Sequence, residues 1–219
     1  MQRRWIAITM LLAGVLGPLL LFGAVAEDVH EQEALWFDHV LQAAVHARAT
    51  PLLDTWMYWA TTAGSALVLV PVNCLVFGWL WWQRRRADAS FWAAAVIGTA
   101  ALNYAAKLFF ARVRPDLWVS RVHETTYSFP SGHAMSTMAA TAALCVLLWP
   151  TRWRWLATVA GSLFVGAVGT SRVYLGVHYP SDVLAGWAAS LAWVIGGKLL
   201  LDWHAQRLQV ASIRSEPGN

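Results

Sequence analysis

Three short groups of polar residues, each at the edge of an apolar stretch, contain the side chains in this sequence that could do chemistry. In chain order they are Lys107 followed by Arg114-Pro115, then Pro130-Ser131-Gly132-His133, then Ser171-Arg172 followed by His178 and Asp182. Charged and titratable groups are costly to keep at such places and usually mark functional sites. We call these groups the first, second and third motif.

The cations and the start of one apolar stretch predict a site for an anion. Lys107, Arg114 and Arg172 have few acids nearby in the chain, and the forked guanidinium of arginine matches the oxygens of a phosphate. Ser131 and Gly132 stand where an apolar helix begins, and the free backbone N–H groups of a helix start favour an anion. Together these five residues predict a cradle for a phosphoryl group.

Two histidines and one aspartate could carry out the transfer of that group. His178 and Asp182 are four residues apart, and a helix that begins near Pro180 turns Asp182 back towards His178. A carboxylate on Nδ1–H would fix the tautomer and leave Nε2 free to attack. His133 is then available as the general acid for the leaving oxygen.

At these residues the sequence resembles the type 2 phosphatidic acid phosphatase family, also called the lipid phosphate phosphatase and vanadium haloperoxidase superfamily. The family pattern is K-x(6)-R-P, then P-S-G-H, then S-R-x(5)-H-x(3)-D. Here the three motifs read KLFFARVRP, PSGH and SRVYLGVHYPSD, within residues 107–182. Every defining position is present in order and with the family's spacing, so the resemblance is specific.

The resemblance implies a role for each site residue. His178 attacks phosphorus and forms a phosphohistidine, Asp182 orients it, and His133 protonates the leaving group and then activates water. The remaining five residues hold the phosphate oxygens: Lys107, Arg114, Ser131, Gly132 and Arg172. The family needs no metal or other cofactor, and the sequence shows no carboxylate cluster of the kind Mg²⁺ would need.

The composition predicts a membrane protein. Of 219 residues, 58% are hydrophobic and only 13% are charged, which is more apolar surface than a soluble domain of this size can bury. This excludes a disordered chain, a fibrous repeat and an ordinary cytosolic enzyme. The net charge of +4 is what a membrane protein with positive inner loops has, so it does not indicate nucleic acid as a partner. Cys74 and Cys145 lie in apolar stretches and predict free buried thiols.

Six apolar segments predict an all-α membrane bundle with six transmembrane helices, in a single domain over residues 1–219. They are residues 5–26, a segment within 55–82, then residues 90–110, 134–149, 155–171 and 183–201. The first segment has an alternative interpretation, because Arg3 and Arg4 precede it and Ala24-Val25-Ala26 resembles a signal-peptide cleavage site. Its 22 apolar residues favour a retained helix.

The arginine distribution predicts the orientation. One side has nine arginines: Arg3, Arg4, Arg84, Arg85, Arg86, Arg152, Arg154, Arg207 and Arg214. The other side has five: Arg48, Arg112, Arg114, Arg121 and Arg172. By the positive-inside rule both termini are cytoplasmic and the three motifs face the exterior. Between the first two spans, apolar residues recur at helical spacing and predict a short amphipathic helix on the outer membrane surface: Trp36, Val40, Leu41, Ala44 and Val45.

The function predicted from these features is hydrolysis of a lipid phosphate or diphosphate in the cell membrane, with the lipid and the bilayer as partners and the oligomeric state left open. Candidate substrates are undecaprenyl diphosphate, phosphatidylglycerol phosphate and phosphatidic acid, and the short loops favour the first two. Alternatives are a phosphatase for a soluble sugar phosphate, a vanadate-binding haloperoxidase and a transporter. The loop between the first two motifs also contains candidates for tuning headgroup choice: Arg112, Asp116, Arg121 and Glu124. His123 in the same loop could touch the substrate, although the interpretation without a functional role is favoured.

Overall fold

All regular structure in the described part of the chain is helical. The computed structural model describes residues 8–31, 35–116, 118, 122 and 124–215, with side chains up to residue 207. The helices are α1 (Ile8–His30, with a π-helical turn at Leu12–Leu16), α2 (Trp36–His46), α3 (Pro51–Ala63), α4 (Ala66–Trp82), α5 (Arg86–Phe110), α6 (Gly132–Leu148), α7 (Arg154–Tyr174) and α8 (Pro180–Ser215). Of the residues named in the sequence analysis, Arg3, Arg4, Arg121 and His123 lie outside this part, and so do the first three residues of the predicted span 5–26 and the side chain of Arg214.

The number of long apolar helices is that of a multi-pass membrane protein. Among the described residues four helices are long and apolar enough to cross a membrane, namely α1, α5, α7 and the part of α8 up to Arg207. Their outward side chains fit lipid contact, since large apolar residues such as Leu20, Leu163 and Leu200 are exposed. Helix α6 is apolar but has only 17 residues.

The second predicted span differs from a single straight helix. Residues 55–82 belong to two helices, α3 and α4, whose axes differ by 42°. The break lies at Gly64 and Ser65, where Ser65 leaves the helical conformation with a ψ of 159° before α4 begins. The apolar run continues through this point, so hydropathy alone does not reveal the bend. The pair counts as one broken span or as a re-entrant segment.

Helix α6 lies at the centre of the bundle and packs against α5, α7 and α8. Its buried residues are mostly small, including Ala134, Ala139 and Ala143, and small residues let membrane helices approach closely. At Gly186 of α8 an added Cβ would lie only 3.1 Å from the backbone oxygen of Ser131. This close approach brings the beginning of α8 against the beginning of α6, where two of the three motifs lie.

Helix α2 forms where the amphipathic helix was predicted, but it buries its polar side. Asp38 and Gln42, one turn apart, are completely buried, whereas Trp36, Val40 and Leu41 are exposed. The helix packs against α7 and α8. Three of the five residues that indicated the helix therefore lie on its outward face, whereas Val45 packs against Tyr174, Leu175 and Val177. Asp38 and Gln42 attach the helix to the protein.

Candidate functional site

The three motifs surround a cavity of about 370 Å³, at the end of the bundle where α5 ends and α6 and α8 begin. Five of the eight predicted site residues line the cavity: Lys107, Arg114, Gly132, His133 and His178. The other three are buried and adjoin residues of the wall: Ser131, Arg172 and Asp182. The structure thus brings together residues that are up to 75 positions apart in the sequence.

His178 and Asp182 form a buried pair. Nδ1 of His178 lies 3.2 Å from Oδ2 of Asp182, and Nη1 of Arg114 lies 3.1 Å from Nε2 of His178. A guanidinium can only donate, so Nε2 must accept this hydrogen bond, and the proton of the neutral imidazole then lies on Nδ1. This tautomer places the Nε2 lone pair on the cavity side.

Burial keeps the imidazole of His178 neutral. Loss of hydration lowers the pKa of His178 to about 4, although the hydrogen bond and negative charge of Asp182 act in the opposite direction. The nearby positive charges of Arg172 and Arg114 add to the lowering. At neutral pH the side chain therefore has a free lone pair, which a nucleophile requires.

Asp182 is held by groups that the motifs do not include. Its Oδ2 accepts hydrogen bonds from the backbone N–H of Tyr179 at 2.9 Å and from the hydroxyl of Ser128. Its Oδ1 accepts one from Nη1 of Arg112 at 2.6 Å. Sequence analysis missed Ser128, and it interpreted Arg112 as a headgroup contact. Both are 50 or more positions from Asp182, so spacing in the chain could not reveal these contacts.

Two cations of the first motif are fixed mainly by backbone carbonyls. Arg114 donates to the carbonyl oxygens of Thr126 at 2.7 Å and Val177 at 2.6 Å. Lys107, in the last turn of α5, donates to the carbonyl oxygen of Tyr127. These contacts use neutral partners, so the positive charges are not cancelled by them and remain available to an anion.

Arg172 of the third motif is buried, and its guanidinium pairs with the carboxylate of Glu124. Its Nη1 donates to Oγ1 of Thr61 at 2.6 Å, and its Nη2 pairs with Oε1 of Glu124. The other carboxylate oxygen of Glu124 is 3.7 Å from Arg114, and Glu124 also lines the cavity. Burial raises the pKa of Glu124, but the charges of Arg172 and Arg114 together outweigh it and hold that pKa below its usual value. A carboxylate thus lies between two cations of the phosphate cradle.

The second motif forms the start of α6. Ser131 is the N-cap, and its Oγ accepts from the N–H of Ala134 at 3.5 Å. A Cβ at Gly132 would lie 3.1 Å from Oδ1 of Asn103, so glycine permits the close approach of α5. Asn103, which sequence analysis missed, donates to the carbonyl oxygen of Pro130 at 3.0 Å and also lines the cavity. The N-terminal end of α6 thereby opens on the cavity next to His133.

Among the described residues, no three His, Cys, Asp or Glu side chains are grouped as metal ligands would be.

Known proteins share this sequence pattern and this fold. The model of the PAP2 superfamily matches residues 88–206. Phosphatidylglycerophosphatase B of Bacillus subtilis (strain 168) is 29% identical over 178 residues, which are 78% of this chain and 87% of that protein. The undecaprenyl-diphosphatase of Sulfolobus acidocaldarius is also 29% identical, over 74% of this chain and 77% of that protein.

The fold is shared with a solved structure. The crystal structure of a transmembrane PAP2-type phosphatidylglycerolphosphate phosphatase from Bacillus subtilis superposes with a TM-score of 0.76 at 26% identity. The superposition covers 85% of this chain and 95% of that one.

Proposed function

The chain belongs to the PAP2 superfamily and is a membrane phosphatase of the lipid phosphatase type, and we propose that it transfers the phosphoryl group of its lipid substrate to His178 and then to water. The observation that carries this proposal is the pair of contacts on one imidazole. Asp182 holds Nδ1 at 3.2 Å, while Nε2 faces Arg114 in the wall of a cavity of about 370 Å³. A group that is to attack phosphorus in line needs this combination of a fixed tautomer and an accessible lone pair.

In the first step the Nε2–P bond forms and the bond from phosphorus to the leaving oxygen breaks. A proton passes from His133 to the leaving oxygen, so the lipid alcohol or phosphate departs without building up charge. In the second step His133 accepts a proton from water, the water oxygen attacks phosphorus, and the Nε2–P bond breaks. His178 and His133 line the same cavity, as this exchange of roles requires.

The cradle residues stabilise the charge that spreads over the equatorial oxygens of the phosphoryl group. Lys107, Arg114 and Arg172 supply positive charge, and Ser131 and Gly132 supply the start of α6. Arg172 also has a buried Nε atom without a hydrogen-bond partner among the described residues, and a phosphate oxygen could accept from it. Glu124 must move aside or share the two arginines when an anion enters.

A lipid rather than a sugar fits the surroundings of the cavity. The phosphate cavity shares Ala100 with a second cavity of about 440 Å³ between α4 and α5. The second cavity is almost entirely apolar, and its wall includes Val70, Phe77 and Ile97. A hydrocarbon chain attached to a phosphate at His178 could extend into this space, whereas a soluble sugar phosphate would leave it unused.

Undecaprenyl diphosphate and phosphatidylglycerol phosphate are the leading substrates, with phosphatidic acid third. The two relatives support this order, because one is a phosphatidylglycerophosphatase and the other an undecaprenyl-diphosphatase. The proposal includes one domain over residues 1–219, with the bent pair α3–α4 and the short α6 completing six spans. It also places both termini in the cytoplasm, the site on the exterior face and α2 at the outer membrane surface.

The experiment is phosphate release by the purified protein in mixed micelles with EDTA present. The panel contains undecaprenyl diphosphate, phosphatidylglycerol phosphate, phosphatidic acid and glucose 6-phosphate, and the control is His178→Ala. We expect release from at least one lipid, lost in the control. Release from glucose 6-phosphate alone would favour the soluble-substrate alternative. Folded protein that releases nothing from the panel would contradict the proposal.

A further inference from the structure

A buried charged network lies on the side of Asp182 away from His178, and the mechanism above does not use it. Nη1 of Arg112 donates to Oδ1 of Asp182 at 2.6 Å and to Oγ of Ser181 at 2.8 Å, while Nη2 donates to Oδ2 of Asp38 at 3.0 Å. The guanidinium carbon lies 4.0 Å from the ring centroid of Tyr179. The guanidinium of Arg112 is thus contacted on one flat face by the ring of Tyr179 and at both terminal nitrogens by carboxylates.

We propose that Arg112 and Asp38 are positioning residues, which hold Asp182 in the orientation that His178 needs. Arg112 occupies an unspecified position inside the first motif, Asp38 belongs to none of the three, and neither lines the phosphate cavity. This inference rests on the proposed function, because it assumes that the Asp182–His178 pair carries the reaction. It adds a residue from α2, a helix that contains none of the residues of the proposed mechanism.

The geometry determines which oxygen of Asp182 faces the histidine. Arg112 holds Oδ1, while the N–H of Tyr179 and the hydroxyl of Ser128 hold Oδ2, so the carboxylate is fixed at both oxygens and Oδ2 stays 3.2 Å from Nδ1 of His178. Loss of this constraint would let the imidazole turn, and a small displacement of a reacting group can cost orders of magnitude in rate. The effect should fall on the chemical step and not on substrate binding.

Burial explains why an arginine is needed here. Asp38 and Asp182 are both completely buried, and two buried carboxylates need a nearby positive charge. The planar fork of Arg112 bridges both at once, with 12% of its side chain exposed. A lysine would bring the same charge but has a single nitrogen, which cannot reproduce the two-ended contact.

One face of helix α2 contacts His178 and the residue that precedes Asp182. Asp38 accepts hydrogen bonds from the backbone N–H of Ser181 at 2.9 Å and from its hydroxyl at 2.6 Å, next to Asp182. One turn later, Nε2 of Gln42 donates to the carbonyl oxygen of His178 at 3.2 Å. The buried polar residues of α2 thus contact the segment that contains His178 and Asp182, which gives this face a role in holding the site.

The test compares Asp38→Asn, Arg112→Lys and their double variant with wild type on the three lipids of the panel. Asp38→Asn keeps the shape of the side chain and leaves Arg112 paired with Asp182, so folding should survive. We expect each single variant to lower kcat at least about tenfold while KM stays within about twofold. The inhibition constant of inorganic phosphate should also stay within about twofold, because the cradle is intact.

The double variant gives the sharper readout. We call the chain of contacts from Asp38 through Arg112 to Asp182 the relay. If both residues act through this one relay, Asp38→Asn in the Arg112→Lys background should lower kcat by no more than about a further twofold, whereas independent roles predict the product of the two losses.

Arg48→Lys is the matched control, since Arg48 is exposed and its Nη1 donates only to the carbonyl oxygen of Ala44 among the contacts described. If Asp38→Asn does not fold, Ser181→Ala replaces it, because this hydroxyl contacts both Asp38 and Arg112.

Three results would each overturn the relay while leaving the proposed function in place. They are an unchanged kcat in the single variants, an effect confined to KM, and a kcat loss in the double variant that equals the product of the single losses. A wild type that releases no phosphate from any lipid would contradict the proposed function and the relay together.

Discussion

Nη1 of Arg114 donates a hydrogen bond of 3.1 Å to Nε2 of His178, the atom that the proposed mechanism uses as nucleophile. In the absence of substrate this contact selects the tautomer with a proton on Nδ1, where Asp182 accepts it. The oxygens of a phosphate are stronger acceptors for a guanidinium than an imidazole nitrogen is, so an entering phosphate should compete with Nε2 for the donors of Arg114. In the proposed mechanism, the same arginine prepares the nucleophile and then binds the group that it attacks.

Arg114→Lys should lower kcat/KM by roughly 10² to 10³, because a lysine keeps the charge but loses the forked contact with the transferring group. Kinetics of phosphate release measure this, and Arg48→Lys is the matched control. A loss of less than about threefold would mean that Arg114 contributes only charge at long range.

Asp182→Asn should reduce kcat by roughly 10³ to 10⁴, as loss of the orienting carboxylate does in hydrolytic triads. The amide NH₂ group cannot accept the Nδ1 proton, so the wrong tautomer becomes favoured. Steady-state kinetics and thermal unfolding in detergent provide the two readings. Full activity in a folded variant would remove Asp182 from the mechanism.

The pH dependence should reflect a neutral nucleophile. Because the pKa of His178 is lowered to about 4, its imidazole binds a proton only well below the ordinary histidine range. Activity that depends on the free lone pair is therefore present above pH 4 and is lost as the pH falls through that value. Nitrogen-15 spectra of histidine-labelled protein should show the His178 ring neutral down to about pH 5. Titration near 6.5 would contradict the burial argument.

Glu124→Gln should strengthen anion binding. The carboxylate pairs with Arg172 and lies 3.7 Å from Arg114, so it competes with a phosphate for the same two cations. We expect the inhibition constant of inorganic phosphate to fall by roughly three- to tenfold, equivalent to about 1 kcal/mol. Glu27→Gln, an exposed position on α1, is the matched control. Weaker phosphate binding in Glu124→Gln would mean that Glu124 positions Arg172 and does not compete with the substrate.

The site should be reachable from outside the cell. Thr125 is exposed in the loop between the first two motifs, and a cysteine there can be labelled in a background with Cys74→Ala and Cys145→Ala. A membrane-impermeant maleimide should label Thr125→Cys in intact cells. Labelling only after the cytoplasmic side is opened would reverse the orientation.

The contact between His178 and Asp182 was predictable because it depends on local spacing. His178 and Asp182 are separated by four positions at a helix start, and Pro180 indicates where that helix begins. Their supporting residues were not predictable, because Asp38 and Arg112 reach Asp182 only through the packing of α2 and of the loop after α5. Sequence analysis also missed which face of α2 lies against the protein. Hydropathy identifies the apolar face of a helix, but in a membrane protein that face can contact lipid while the polar face packs inward.

The most direct test of the central claim is to trap the covalent intermediate. The protein is mixed with a lipid substrate, quenched rapidly in alkali, where phosphohistidine survives, and digested for mass spectrometry. The account predicts a phosphoryl group on the peptide that contains His178, and no such peptide from Asp182→Asn under the same quench. Turnover by wild type without any phosphopeptide, or with the phosphoryl group on His133, would contradict it.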